Sequence, residues 1–495
     1  MRCRVVRFRV SRCRSHCACT EFVQLCESGA HLWVMPNPAP RRTAAPFGGI
    51  YNPYARQIQA LIALRTASIM AYTSARALAG VQAFDSVHRA KGRARKYGNG
   101  IYPGNSPDRK MKPKSTAPIR VGVLFSETGV TSVIERSERQ GTLLAAQEIN
   151  EAGGINGREL QLISYDPQSR PALYASQAKH LLLEDRVQVI LGCYMSSTRK
   201  AVIPVVERWN GLLLYPTLYE GFEYSRNVIY TGAAPNQNSV QLAEFMMREF
   251  GSRVFMVGSD YIYPYESNRI MSDLIVERGG EKIAEVYLPL DASWESYVTV
   301  AKKIQATNPD FIFSTVVGYG TSLLHRAYAQ VKLDPAKMPI ASLTTCEAEV
   351  RQMGADIAEG HITSAPYFQR VDTEVNKRCV AQFKNRFGAD EVTNMCWEAA
   401  YFQTHLLADA MRRVDTDNVL DLLRVLPGSE FSGPQGKVRI DEHNHHTYLR
   451  PRIGRVNDQG QFDIIQEAER WVRPDPYLVS HSLEDWSARA QIYAR

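Results

Sequence analysis

From Ile119 onward, short apolar runs alternate with longer stretches of helical period. IRVGVLF reads as a buried strand, SETGVT as a turn with helix-capping residues, and Val133 to Ala152 as an amphipathic helix stopped by Gly153-Gly154. A strand (ELQLISY), a helix (Leu173 to Glu184), a strand (VQVILG), a helix after Ser196 and a strand (GLLLYP) follow. Strands interleaved with helices of this length imply right-handed βαβ units and a parallel sheet covered on both faces.

A second series opens after NVIYTGAAPNQNS. It runs through a helix (Val240 to Phe250), RVFMVG, a helix after Pro264, KIAEVYLPL, a helix from Trp294, DFIFSTV, a helix after Gly320, MPIAS and HITSAPYF. Residues 371–426 read as helices only, and residues 430–466 as short strands with turns, QGKVRI among them. Helices and then strands returned after each half is complete suit two lobes joined by several crossings, with a cleft between them. The expected fold is therefore α/β with two lobes, each a mostly parallel sheet flanked by helices. The expected division is 118–233 with 368–429 for lobe 1, 234–367 with 430–466 for lobe 2, and a C-terminal extension over 467–495.

In an open parallel sheet, ligands bind beyond the carboxyl ends of the strands. VQVILG and GLLLYP each end in a tyrosine with a hydroxyl residue two positions later: Tyr194 with Ser196, and Tyr215 with Thr217. Flat rings with polar tips gathered there suit a small ligand needing apolar contact and several hydrogen bonds. Taken singly, each tyrosine reads as a strand-end core residue, and Ser196 and Thr217 as helix caps. No Gly-rich phosphate loop follows any strand, and GYGTS (Gly318 to Ser322) reads as a strand-to-helix turn lining the cleft. Cys193 has no base and orienting partner to make it a nucleophile, and a structural thiol is the better reading. The tract HNHH, with His445 and His446, reads as a solvated hairpin between strands rather than a metal site. Asp260, Glu220, Glu223 and Glu266 are the carboxylates that could instead meet an α-ammonium group.

Charge is unevenly placed. Residues 1–110 hold 18 Lys and Arg against 4 Asp and Glu, a balance of +14, whereas the whole chain is +8, leaving −6 for residues 111–495. The basic character thus belongs to the first 110 residues, and averaging it over the chain would wrongly suggest nucleic-acid binding. Five of the nine cysteines lie in the first 26 residues. Cys13, His16, Cys17, Cys19 and Cys26 match no standard zinc spacing. The other four are scattered, which fits a reducing compartment. The most apolar early stretch, QIQALIALRTASIMAYTSARALAG, is interrupted by Arg65 and Arg76 and fits neither a secretory signal nor a membrane span. Residues 1–117 read as a basic leader, disordered or not natively translated, with Met111 as the expected start and the cytoplasm as the expected compartment. Export to the periplasm is the alternative.

The strings GVLFSETGVT, GCYMSSTRKAV, YPTLYEGFEYS, APNQNS, GSDYIYPYESN, FSTVVG, ASLTTCEAEV, APYF, PQGKVR and RPDPYLVSHSLEDWSA resemble type I periplasmic-binding proteins, the family of leucine/isoleucine/valine-binding proteins. Within it they are most similar to amide-sensing negative regulators of aliphatic amidase operons and to relatives that bind urea and short-chain amides. The resemblance covers Ile119 to Ala488 and leaves the leader uncovered. It implies an amide pocket built from Tyr194 and Ser196, Tyr215 and Thr217, and Tyr261 and Tyr263, with the backbone of Leu218 accepting from the ligand and with Val317 and Tyr367 at its periphery. Leu218 stands where the amide sensors have proline, so the loop loses a fixed φ.

The implied function is a cytoplasmic sensor of a small neutral amide or urea that controls an RNA-binding antitermination regulator of amidase expression. It would be a homo-oligomer with no cofactor, no metal, no membrane and no direct nucleic-acid contact. The alternative is the solute receptor of an ABC transporter for urea, short-chain amides or branched-chain amino acids. An amidohydrolase lacks its nucleophile and base constellation at plausible positions, so no catalytic residue is expected. A chain begun at Met111 should match the full chain in melting temperature and ligand affinity, as read by calorimetry; a marked loss of either would show that the leader packs on the lobes.

Overall fold

The computed structural model describes residues 116–479. The first half-fold runs β1 (Ile119–Leu124), α1 (Ser132–Glu151), β2 (Leu160–Tyr165), α2 (Pro171–Leu183), β3 (Val189–Gly192), α3 (Ser196–Trp209), β4 (Leu212–Tyr215) and β5 (Val228–Tyr230). These strands form a parallel sheet in the order β2-β1-β3-β4-β5. β3, β4 and β5 are buried along their whole length, as expected of parallel strands covered on both faces.

The second half-fold adds α4 (Ser239–Glu249), β6 (Arg253–Ser259), α5 (Ile262–Glu277), β7 (Glu281–Leu288), α6 (Trp294–Thr307), β8 (Phe311–Thr315), α7 (Tyr319–Gln330), β9 (Ile340–Ser342), α8 (Glu347–Met353), α9 (Ala355–Ala358) and β10 (Ile362–Ala365). α10 (Glu374–Phe387), α11 (Met395–Val414) and α12 (Val419–Val425) follow, then β11 (Glu430–Gly433), β12 (Gly436–Ile440), β13 (Thr447–Tyr448), β14 (Arg452–Val456) and β15 (Phe462–Glu467). The second sheet has the order β15-β14-β10-β9-β8-β6-β7, parallel except for β14 and β15.

The chain passes between the lobes after β5, after β10 and after β13. Of the strands in 430–466, only β14 and β15 join the second sheet. β11, β12 and β13 form a small antiparallel sheet of their own. That sheet touches the first lobe, through a parallel bridge between Tyr230 and His446. Helix ends follow local chemistry: Asn210, Asn308 and Asp415 close α3, α6 and α11 in the left-handed conformation.

α11 returns to pack along α1, and the two backbones come unusually close at Gly141. A Cβ there would sit 2.4 Å from the carbonyl oxygen of Trp397. Gly141→Ala should therefore force the helices apart and destabilise the fold by about 1 to 3 kcal/mol, measurable as a lowered urea midpoint. An unchanged midpoint would mean that the pair can shift freely.

Candidate functional site

The carboxyl ends of β3 and β4 in one lobe face those of β6, β8 and β9 in the other. Seven of the nine residues expected at the site line one cavity there: Tyr194, Ser196, Thr217 and Leu218 from the first lobe, and Tyr261, Tyr263 and Val317 from the second. The cavity is about 10 Å³, space for about one water. The lobes are in contact around it, and the Tyr319 backbone N–H donates to the Val130 carbonyl across the cleft at 3.3 Å. Gly318, at the start of the GYGTS turn, has φ 63°, and a Cβ there would meet that same carbonyl oxygen at 2.2 Å. Only glycine allows this approach.

Tyr215 and Tyr367 do not line the cavity. Along β4 the side chains alternate: Leu212 and Leu214 join the central core, whereas Leu213 and Tyr215 join the cluster beneath α2 and α3. Tyr215 still serves the site from below, donating from its hydroxyl to the Tyr194 carbonyl at 2.6 Å. Tyr367 lies in the connection after β10, where its hydroxyl bonds Asn376 Oδ1 at 2.7 Å and Thr393 Oγ1 at 2.8 Å. Thr344, which follows β9, lines the cavity and was not expected. The rule that found Ser196 and Thr217, a hydroxyl just past a strand end, would have found it in ASLTTC.

The hydroxyl protons of Ser196 and Thr217 are committed. Ser196 donates to Glu220 and accepts from Arg199 Nη1 at 3.1 Å. Thr217 donates to Glu138 Oε1 at 2.6 Å. Neither is a helix cap: Met195 holds the cap position of α3, and Thr217 lies in the loop after β4. The Tyr263 hydroxyl is buried and lacks a well-aligned partner. Burial raises Tyr194 and Tyr261 well above the usual phenol range, so both are neutral donors.

No charged side chain lines the cavity. Arg199, fully buried, pairs with Glu220 at 3.1 Å and Glu223 at 2.7 Å, and Lys200 adds a contact to Glu223 at 2.8 Å. Burial alone would raise Glu223, but the Arg199 and Lys200 charges hold it at about 2. Glu138 is pushed well above the usual range by burial and by Glu135. Asp260 and Glu266 are engaged outside the cavity, by the Tyr265 hydroxyl at 2.9 Å and by Arg269. None of the four carboxylates considered for an ammonium group is therefore free in the cleft.

Two other sequence readings are now decided. Burial and the nearby Glu135 push the Cys193 thiol well up, the opposite of an activated nucleophile. The HNHH tract is solvated only at its start: His443 is exposed, whereas His446 is fully buried and stacks on Tyr230 at 4.2 Å between ring centroids. Its Nδ1 donates to the Asn444 carbonyl, so Nε2 accepts from Tyr219. Burial holds its pKa at about 4. Among the described residues no cluster of His, Cys, Asp and Glu is arranged to hold a metal, and no helix is long and apolar enough to cross a membrane. The cysteine-rich stretch 13–26 lies outside the described residues.

Comparison with known proteins places this architecture. Residues 119–483 match the periplasmic binding protein domain family, and the chain belongs to that family. It is 22% identical over 327 residues to a leucine-, isoleucine-, valine-, threonine- and alanine-binding protein of Pseudomonas aeruginosa, covering 66% of this chain and 86% of that one. A shorter stretch of 141 residues is 30% identical to a limonene hydroxylase of Geobacillus stearothermophilus, spanning about a quarter of that protein (26%) and 28% of this one. Among solved structures, a solute-binding protein of an ABC transporter from Rhodopseudomonas palustris HaA2, in complex with p-hydroxybenzoic acid, superposes with a TM-score of 0.66 at 20% identity. It covers 74% of this chain and 100% of that one. The branched-chain amino acid binding protein LivJ of Streptococcus pneumoniae, in complex with isoleucine, gives 0.62 at 18% identity, covering 72% and 100%. The type I fold with two lobes and mostly parallel sheets is thus shared.

The cleft and hinge also bury carboxyls that stay protonated. Burial raises Glu347, Glu349 and Glu398 each to about 8. Unfolded, they ionise near 4.5, so between 4.5 and 8 the folded chain holds more protons and stability falls as pH rises. The buried His325 and His446, both lowered to about 4, are neutral in either state above pH 7 and do not oppose the trend there. Melting temperature should fall from pH 7 to 9, and Glu398→Gln should flatten that slope; a flat wild-type profile would overturn the assignment.

Proposed function

We infer that this chain is a solute-binding receptor for a small neutral amide or urea, held in the cleft between its lobes. The observation that carries the reading is a cavity walled by tyrosine, serine, threonine and aliphatic groups, with every nearby charge already paired or neutral. A zwitterionic amino acid would bring two charges that this wall does not compensate, at a large desolvation cost. A planar amide brings one carbonyl and two N–H donors, which tyrosine hydroxyls and the lone pairs of Ser196 and Thr217 can satisfy. The small size of the cavity, room for about one water with the lobes in contact, favours a ligand as small as urea or acetamide over a benzoate or a leucine.

Solute reception is preferred to control of an RNA-binding antiterminator because the relatives named above are binding proteins, one of them of an ABC transporter. The same relatives, and a family described as periplasmic, favour an exported receptor over a cytoplasmic sensor.

Calorimetric titration should give heat with acetamide, propionamide or urea and none with leucine. Tight leucine binding with silent amides would reject the reading. Ser196→Ala and Thr217→Ala should each weaken amide binding by about 1 to 3 kcal/mol, the cost of an unpaired buried group. Tyr261→Ala should cost more, since it also removes a wall. Normal binding by these folded variants would show that the strand-end hydroxyls are core rather than site.

A further inference from the structure

Behind the ligand cavity lies a second one of about 10 Å³, and Leu218 lines both. Leu218 is 6% exposed and belongs to the central core. Its side chain therefore stands between the two cavities, with the cleft on one side and a second compartment on the other. The compartment has apolar sides, Ala233, Met395 and Ala399 among them. Its polar end is formed by Glu398 and Gln435. Gln435 donates from Nε2 to Glu398 at 2.6 Å, but its Oε1, on a residue only 3% exposed, has no hydrogen-bond partner. A buried acceptor left this way favours a molecule that brings a donor.

The backbone beside the wall is fixed. Gly232 lies so close under the loop after β4 that a Cβ there would be 2.0 Å from the Thr217 carbonyl carbon. The loop therefore cannot sink to fill space vacated by a smaller residue at 218. The volume of a leucine side chain would pass to the cavities instead, as it does when close-packed surroundings relax only partly.

We propose that Leu218 is the residue that sets ligand length: it closes the cleft to any amide longer than about two or three carbons. The compartment behind it has room for about one water; joined to the space of the leucine side chain, it would become a subsite for an unbranched aliphatic chain ending in a hydrogen-bond donor. This inference rests on the amide reading above for its ligand, but not for its geometry.

The test is titration of the full chain and of Leu218→Ala with acetamide, butyramide and hexanamide, with a thermal melt to verify folding. The wild type should bind acetamide most tightly. The variant should raise the hexanamide-to-acetamide affinity ratio at least tenfold, and should bind 4-hydroxybutyramide more tightly than pentanamide because its hydroxyl can reach Gln435. An unchanged ratio in the folded variant overturns the wall, and equal binding of the last two ligands overturns the role of Gln435. Should the alanine variant not fold, Leu218→Val must shift the ratio in the same direction by a smaller factor, and no shift there overturns the wall.

If neither protein binds any amide, the ligand reading fails, and xenon then decides the geometry. Crystals of the variant under xenon pressure should show density bridging Thr217 and Gln435 where the wild type shows none. No xenon in the variant overturns the partition.

Discussion

A single buried guanidinium organises the floor of the cleft. Arg199 stands fully buried on α3, with its charge 4.7 Å from the ring centroid of Tyr215 and 4.6 Å from that of Tyr219. Desolvating it is expensive, and only close partners can offset that cost. Both carboxylates that do so, Glu220 and Glu223, come from the irregular segment after β4. The ion pairs therefore pin a loop that no strand ladder holds, and that loop carries Thr217 and Leu218. Arg199 also donates to Ser196, so the same charge orients a hydroxyl of the cavity. A lysine could not replace it, because one ammonium cannot reach two carboxylates and a hydroxyl in a planar fork.

The small third sheet has its purpose in this arrangement. His446 extends the aromatic stack of Tyr219 and Tyr230, and Tyr230 donates to Glu223 at 2.9 Å. The stack thus packs against the ion pairs, with Tyr219 under the Arg199 guanidinium and Tyr230 on Glu223. Neutral, stacked histidine is stable there because its two nitrogens are satisfied by a carbonyl and a phenol. That is also why HNHH misleads when read as sequence: hydrophilic letters in a turn suggest solvent, and only the tertiary contact with β5 reverses this.

Much of the fold was legible because it rests on periodicity. Buried parallel strands and amphipathic helices leave repeating signals, and the boundaries of α1, α2, β3 and β4 fall within a residue or two of those expected. The division of strands after α12 was less legible. Nothing local in QGKVRI distinguishes a strand that starts a new sheet from one that extends an old one. At the candidate site, strand-end position pointed to Tyr194, Ser196 and Thr217 and the resemblance to Tyr261, Tyr263 and Val317, which the structure brings to one cavity; strand alternation turns Tyr215 away from it. Four consecutive apolar positions in LLLY hide which face each takes, since both faces are buried. Tyr367 was carried over from a motif, and its hydroxyl is spent on Asn376 and Thr393 in the crossing between lobes. Glu138 could not have been foreseen, since a glutamate on an amphipathic helix normally faces water.

That glutamate gives the cavity its hydrogen-bonding polarity. With Thr217 donating to Glu138 and Ser196 donating to Glu220, the two hydroxyl oxygens turn lone pairs rather than protons inward. The neutral tyrosines supply donors from the other sides. Under the amide reading, the wall therefore separates into an accepting part and a donating part, matching the two ends of a planar amide. A carboxylate of the same shape would set acceptor against acceptor at Ser196 and Thr217, and would bury a charge with no cation free to meet it. An ester would leave both hydroxyl oxygens without a donor. The discrimination is thus built less from the residues that touch the ligand than from the buried carboxyls behind them, which decide which way each hydroxyl points.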